Sequence, residues 1–243
     1  MQGKVALVTG SSGGLGLAIA QALASAGCRV ALHGIEAQGA DGAADYHQAD
    51  LRDPAAIESM MREVGRVDIL VNNAVVRHAA PVDRLPVEKW NESIAVNLSA
   101  AFHTIRLALP GMRERRWGRI FNMSSVYGSR AAPNRVDYVT TKTALLGLTR
   151  AVALETANDG ITCNALCPGT TLTPGIDARI ESLMRERGIG RAEAERQFLA
   201  GKQPTGQFIG AGQVAELVLF LCGAAGSAIT GAMLPMEGGW LAG

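Results

Sequence analysis

The chain has 243 residues, 48% of them hydrophobic and 19% charged, with 23 lysines and arginines against 22 acids and a net charge of +1. That length allows one large or two small domains with a substantial core, and the composition is globular rather than disordered. The balanced charge gives no electrostatic reason for a nucleic-acid or anionic-membrane partner. The arginine-rich stretch 113–119 also holds Glu114 and Trp117, and reads as the polar end of a helix. Cys28, Cys163, Cys167 and Cys222 are scattered with no C-x-x-C pair, the pattern of buried free thiols in a reducing compartment. Gln2-Gly3-Lys4 leads directly into an apolar run, unlike a signal peptide, and no apolar stretch reaches membrane-spanning length. A soluble, cytoplasmic protein is expected.

Along the chain, short apolar runs alternate with segments of helical period. A strand at 5–9 leads to a helix at 15–26 closed by Gly27, followed by strands at 29–34 and 46–50. A helix at 54–64 begins with a proline, a strand follows at 69–72, and 87–115 reads as two helical stretches around Pro110. Then come a strand at 119–123, a long helix at 137–158 and a strand at 161–166. A helix at 213–222 and a seventh strand at 232–236 close the chain. Alternating β and α with near-continuous apolar strands argues a parallel sheet covered on both faces. The one long departure is 168–212, first rich in Thr, Pro and Gly, then two charged helices around Gly188 and Gly190. An insertion after the carboxyl end of a strand is where a substrate lid would sit.

Thr9-Gly10-Ser11-Ser12-Gly13-Gly14-Leu15-Gly16 joins the first strand to the first helix. Glycine permits the tight turn and a close backbone approach, and a helix N-terminus offers free N–H groups to a phosphate. In this position the turn reads as a dinucleotide site, and there is no G-x-x-x-x-G-K-[ST] to suggest a P-loop. Farther along, Tyr138 and Lys142 stand four apart, with Ser125 thirteen residues before the tyrosine. On a helix that spacing puts phenol and ammonium on one face, with Cβ atoms about 5–6 Å apart. The lysine would favour the phenolate by charge, making a proton donor or acceptor for an oxygen that the serine could hold.

The T-G-x-x-x-G-x-G turn, Asn72-Asn73-Ala74, Asn97, Ser125, Tyr138/Lys142 and Pro168-Gly169 occur in the order found in short-chain dehydrogenases/reductases, and essentially the whole chain resembles that family. The resemblance implies a single doubly wound Rossmann-type domain over 1–243 that binds a nicotinamide dinucleotide. It implies that Tyr138 is the acid/base, that Ser125 holds the substrate oxygen, that Lys142 holds the nicotinamide ribose, and that Asn97 anchors a water of the proton relay. It places cofactor contacts at Gly10, Ser12, Gly14, Leu15, Gly16, Gly34, Asp50, Leu51, Asn73, Ala74, Tyr138, Lys142, Pro168, Gly169, Thr171 and Thr173. A homotetramer is the family expectation, and no metal is implied. Two departures stand out. Val75 replaces the family's usual glycine, and a β-branched residue does not take positive φ comfortably. Only about fifteen residues separate Gly34 from Asp50, and the helix usual at 35–44 looks truncated.

A 2′-phosphate calls for a basic residue after the second strand or in the glycine turn. His33-Gly34-Ile35-Glu36 and Ser11-Ser12 supply none, so NAD is expected ahead of NADP, with Glu36 the one acid near the ribose. Lys202-Gln203-Pro204-Thr205-Gly206-Gln207-Phe208, Lys89-Trp90 and Gly238-Gly239-Trp240 look like bacterial D-3-hydroxybutyrate dehydrogenases. The positions matching that group's carboxylate-holding residues are Arg77, Tyr127, Arg135 and Arg179, none identical, and Thr170 replaces a lid tryptophan. Arginine forks suit carboxylates, so a larger or more highly charged hydroxy acid is expected. A 3-oxoacyl-thioester reductase or a sugar dehydrogenase would share the catalytic residues. A non-catalytic dinucleotide-binding regulator would need only the glycine turn.

Overall fold

Side chains of successive strand residues point to opposite faces of a sheet, and here both faces are apolar. Strands β1 (Val5–Val8) and β4 (Ile69–Asn72) are buried throughout, as β5 (Gly118–Met123) is. A computed structural model, which describes residues 1–37 and 45–242, adds β2 (Arg29–Gly34), β3 (Tyr46–Gln48), β6 (Ile161–Pro168) and β7 (Met233–Met236). The seven strands are all parallel in the order β3-β2-β1-β4-β5-β6-β7.

Two cores follow from that alternation. Ala6, Val8, Ile69, Val71 and Phe121 face α1 (Gly14–Ser25) and α8 (Ala211–Cys222), meeting Ile19, Leu23, Val214, Val218 and Leu221. Leu7, Leu70 and Ile120 face the other way, toward α2 (Pro54–Val64), α4 (Ala100–Glu114) and α5 (Val136–Glu155), where Ile57, Met60, Ile105, Met112 and Val152 are buried. Each large apolar side chain so buried contributes about 1.5–3 kcal/mol. Asp53 caps α2 by accepting from the Ala55 N–H at 2.9 Å, with Pro54 at the first helical position.

The expected break at Pro110 is not there. Pro110 lies inside α4 on its exposed face, as does Arg106, so the carbonyl that loses its N–H partner faces solvent. The interruption comes earlier, where α3 (Val87–Ile94) passes into α4 through a π-helical turn at Ala95–Ser99. The two charged helices are present as α6 (Pro174–Arg187) and α7 (Arg191–Leu199), with Gly188 in the left-handed region ending α6. The shortened 35–44 connection lies, from residue 38 onward, outside the described residues. All four cysteines are unpaired and buried, and among the described residues no helix is long and apolar enough to cross a membrane.

The winding of the chain reverses between β1 and β4, and ligands of such sheets bind outside the carboxyl ends of the strands at that point.

Candidate active site

A cleft of about 710 Å³ opens there, reaching from Glu36 and Asp50 at one end to Phe198 and Trp240 at the other. Its floor is the glycine turn. Gly10 has φ of +62°, and a Cβ on it would lie 2.8 Å from the Ala74 Cα; a Cβ on Gly16 would overlap the Gly10 carbonyl oxygen. Gly13 and Gly14, by contrast, have nothing within 4 Å of where a Cβ would stand, and no side chain caps the N-terminus of α1. The first-turn N–H groups and the open space above them suit a phosphate. Gly14 has φ of +57° and does not itself line the cleft.

The turn is locked from below. The Asn73 Nδ2 donates to the Thr9 and Gly10 carbonyls at 3.0 and 2.9 Å, while Thr9 Oγ1 accepts from the N–H groups of Asn73 and Ala74. His33, buried, accepts from the Gly10 N–H through Nδ1 at 3.0 Å. Its ring proton therefore sits on Nε2, which donates to the Ala49 carbonyl at 3.1 Å. Burial holds the His33 pKa below the usual histidine value. Val75 follows Ala74 without taking a positive φ, so valine replaces glycine there without backbone strain.

At the far end of β2 and β3, Gly34, Glu36, Asp50 and Leu51 line the cleft as expected. Arg52 joins them, and its guanidinium forks onto both Asp50 carboxylate oxygens. The Arg52 hydrogen bonds hold the Asp50 carboxyl below the usual carboxylate range.

The expected catalytic residues Ser125, Tyr138 and Lys142 lie just past β5 and on α5. Ser125 caps a short 3₁₀ turn at Val126–Gly128, accepting from the Tyr127 N–H at 3.3 Å. Tyr138 and Lys142 project from one face of α5, the lysine Nζ 5.5 Å from the tyrosine ring centre. Both side chains are buried, and Lys142 Nζ donates to the Met123 carbonyl at 2.5 Å. Burial, with Arg77 adding to it, pushes the Lys142 pKa down to about 7. Tyr127 stands edge-on to Tyr138, and Trp240 edge-on to Tyr127, at 6.1 and 5.6 Å. Pro168, at the end of β6, and Gly169, Thr171 and Thr173 beyond it line the same cleft; Thr173 also caps α6.

Arg77, Tyr127, Arg135 and Arg179 all reach this cleft. The Arg77 guanidinium lies 5.1 Å from the Tyr138 ring centre. Its neighbour His78 is gripped from the N-terminus of α5, where Arg135 donates to the His78 carbonyl and Asp137 accepts from the His78 N–H, both at 3.3 Å. Asp137, buried, also accepts from Ser93 Oγ at 2.7 Å. Asn97 alone of the expected catalytic residues does not face the cleft. It sits in the π-helical turn with its amide bonded to both the N–H and the carbonyl of Val76. It does border, with Lys142 and Thr9, a separate cavity of about 10 Å³.

Residues 4–182 match the sequence pattern of the short chain dehydrogenase family. The chain is 43% identical to a D-beta-hydroxybutyrate dehydrogenase of Cupriavidus necator, over 100% of this chain and 99% of that protein. A D-beta-hydroxybutyrate dehydrogenase of Rhizobium meliloti is 42% identical, over 98% and 99%. A solved structure from Agrobacterium tumefaciens, of a protein proposed to be a gluconate dehydrogenase, superposes with a TM-score of 0.85 at 30% identity, covering 100% of this chain and 97% of the other. The chain belongs to the short-chain dehydrogenase family.

As a short-chain dehydrogenase it is an oxidoreductase of CH–OH groups that uses a nicotinamide dinucleotide and a small-molecule substrate. Several residues of the cleft went unassigned in the sequence. In the sequence His33 stands only as a strand-end residue that supplies no cation for a 2′-phosphate, and its two partners lie 23 and 16 residues away. Arg52 follows a loop aspartate. Phe198 and Lys202 meet the cleft because α6 and α7 lie over it, and Trp240 because the segment after β7 packs edge-on against Tyr127. Lys202 and Trp240 belong to the Lys202–Phe208 and Gly238-Gly239-Trp240 segments, where a cation and an aromatic are the signals in the sequence that point to the cleft.

Proposed function

We propose that this protein is an NAD-dependent dehydrogenase interconverting the secondary alcohol of an anionic hydroxy acid and the ketone of its oxo acid, with Tyr138 as the acid/base. The observation that carries this reading is that Ser125, Tyr138 and Lys142 open onto the same cleft as Arg77, Arg135 and Arg179. The open space over Gly13 and Gly14, beside an uncapped helix N-terminus, fits the pyrophosphate of the dinucleotide. The bound cofactor supplies the hydride acceptor or donor at the carbinol carbon.

The residues divide the remaining work. Ser125 holds the reacting oxygen by a hydrogen bond, and Tyr138 takes its proton in oxidation and returns it in reduction. No hydrogen bond among the described residues engages the Tyr138 hydroxyl, which leaves it free for that exchange. Lys142, protonated, stabilises negative charge as it develops beside it and holds the ribose. Asn97 fits a place behind the lysine, since the cavity the two share is about the size that one water needs. Gly10, Ser12, Leu15, Gly16, Asn73 and Ala74 frame the phosphate end, and Asp50 and Leu51 the adenine end. NAD is preferred because the one arginine at that end, Arg52, has its fork committed to Asp50, while Glu36 stands at the rim.

This reading takes 1–243 as one catalytic domain, with 168–212 as a substrate lid. A cytoplasmic homotetramer fits the free thiols, and the exposed Phe102 on α4 and Leu154 on α5 supply apolar surface for helix pairing. Replacing Tyr138 by Phe should lower turnover of a hydroxy acid by roughly 10³-fold while NADH affinity, followed by fluorescence titration, stays within about twofold. Retained turnover would sink the assignment.

A further inference from the structure

Arg77, Arg135, Arg179 and Lys202 face the cleft, and among the described residues none of the four has a carboxylate within 4.0 Å. They form two groups. Arg77 lies over the Tyr138 ring, on a loop that Arg135 and Asp137 hold through His78. Arg179, from α6, and Lys202, three residues beyond α7, both lie over the ring of Phe198, at 5.1 and 4.1 Å.

The second group is not explained by folding alone. Lys202 Nζ donates to the Phe198 carbonyl at 2.6 Å, an ordinary way to close the last turn of a helix. That uses one of three ammonium donors and gives no reason for a guanidinium to stand over the same ring. Two like charges converging on one side chain repel each other. Burial, with Arg179 adding to it, holds the Lys202 pKa below the usual lysine value. Among the described residues, no carboxylate stands within 4.0 Å of either member of the pair.

We infer that the substrate carries two anionic groups: a carboxylate near the reacting carbon, met by Arg77, and a distal anionic group held between Arg179 and Lys202. The inference rests on the function proposed above and narrows it from hydroxy acids in general to hydroxy acids with a second anion. A single carboxylate placed beside Tyr138 leaves the Phe198 pair unbalanced; a dianion satisfies both groups, each guanidinium offering a planar fork to one end. The distal group is an oxygen anion, carboxylate or phosphomonoester, since both accept from a guanidinium and an ammonium together.

Unreactive anions test this independently of turnover. Calorimetry on the NADH-loaded protein would compare succinate, glutarate and adipate with propionate, butyrate and valerate. Each diacid is its partner monoacid with one carboxylate added. The best diacid should bind at least tenfold tighter than its partner. Arg179→Gln, at an exposed position, should erase most of that preference while leaving the monoacid within twofold; Lys202→Gln should do the same, with thermal melts confirming the fold. Phosphonate and phosphomonoester analogues of the best diacid then tell carboxylate from phosphate, tighter binding by either identifying the distal group. No diacid preference in any pair, or an equal loss for diacid and monoacid in Arg179→Gln, overturns the inference. The parent reading fails in a different way: if no hydroxy acid reduces NAD, the activity is wrong, whatever the anion affinities show.

Discussion

The two ends of the cleft are held by opposite means. At the glycine turn nearly every polar group is committed within the protein: Asn73 to the Thr9 and Gly10 carbonyls, His33 between Gly10 and Ala49, Ser11 to Val8 and His33. Around Tyr138 and Phe198, Arg77, Arg179 and Lys202 have, among the described residues, no carboxylate within 4.0 Å. They stand on a loop, on α6 and just past α7, and the buried residues of those helices are few: Ile180 in α6, Ala194 and Leu199 in α7. One end is defined by backbone shape, with no room for a side chain at Gly10 or Gly16. The other is defined by charge on long side chains, and can change its ligand without disturbing the sheet. Proteins sharing this scaffold are thus free to differ at the charged end while the turn stays fixed.

Lys142 stands where the two ends meet, and it gives the largest expected effect. Its ammonium is tied to a backbone carbonyl like a group of the first end, yet it feels Arg77 from the second. Its pKa of about 7 in the fold, against the usual 10.5, means that the unfolded chain binds the lysine proton more tightly. A depressed pKa gives stability that is full above 10.5 and is lost as pH falls through about 7. At pH 7 and below, burying the charge therefore costs up to about 5 kcal/mol. Lys142→Met should abolish turnover yet raise stability at pH 6 by a few kcal/mol, after about 1–3 kcal/mol for the unpaired Met123 carbonyl is deducted. The advantage should shrink steadily between pH 7 and pH 10. Urea unfolding at pH 6 and pH 10 reads both points, and a variant less stable than the parent at pH 6 would show that the lysine is not held at a cost.

Gly16 isolates the shaped end. An alanine methyl there overlaps the Gly10 carbonyl oxygen, which is backbone and cannot swing aside as a side chain does. Such overpacking costs about 1–3 kcal/mol, and the turn that cradles the phosphates must shift to absorb it. Gly16→Ala should lower the melting temperature and weaken NADH by about 100-fold, the equivalent of about 3 kcal/mol. Arg179→Gln, at the charged end, should leave both unchanged. Normal NADH affinity in Gly16→Ala would show that the contrast between the ends is misdrawn.

That contrast also explains what could be read from the sequence. The turn and the Tyr138–Lys142 pair were legible because their demands are local: glycines at fixed offsets, and four residues to one face of a helix. The parallel sheet was legible because Val5–Val8 and Ile69–Asn72 carry no polar alternation. Pro110 misled because proline's cost depends on which way the orphaned carbonyl faces, and the sequence alone did not show that Arg106 and Pro110 share the solvent side of α4. Asn97 was marked out as a position, but its grip on Val76 spans 21 residues and became visible only in the fold. The pairing of Arg179 with Lys202 needed α6 and α7 to be docked before both could meet one phenylalanine.

His33 gives the smallest effect and the cleanest separation of the two ends by pH. Its Nδ1 must stay unprotonated to accept from the Gly10 N–H, and its pKa in the fold lies below the usual 6.5. Above about 6.5 the ring is neutral whether the chain is folded or not, and the contribution to stability is whole. As pH falls below that, the unfolded chain takes up a proton first, and the folded state loses ground until its own histidine titrates. Protonation then sets a donor against a donor at the hinge of the glycine turn. The arginines keep their charge throughout this range, and Lys142 only gains. Acid should therefore loosen the shaped end while the charged end holds. His33→Asn places an amide oxygen near the position of Nδ1 and removes the titration. Between pH 7.5 and 5.5 the parent should lose more stability and more NADH affinity than His33→Asn, while anion binding to the NADH-saturated protein follows the same course in both. Parallel pH curves for stability and NADH binding in the two proteins would remove His33 from this role.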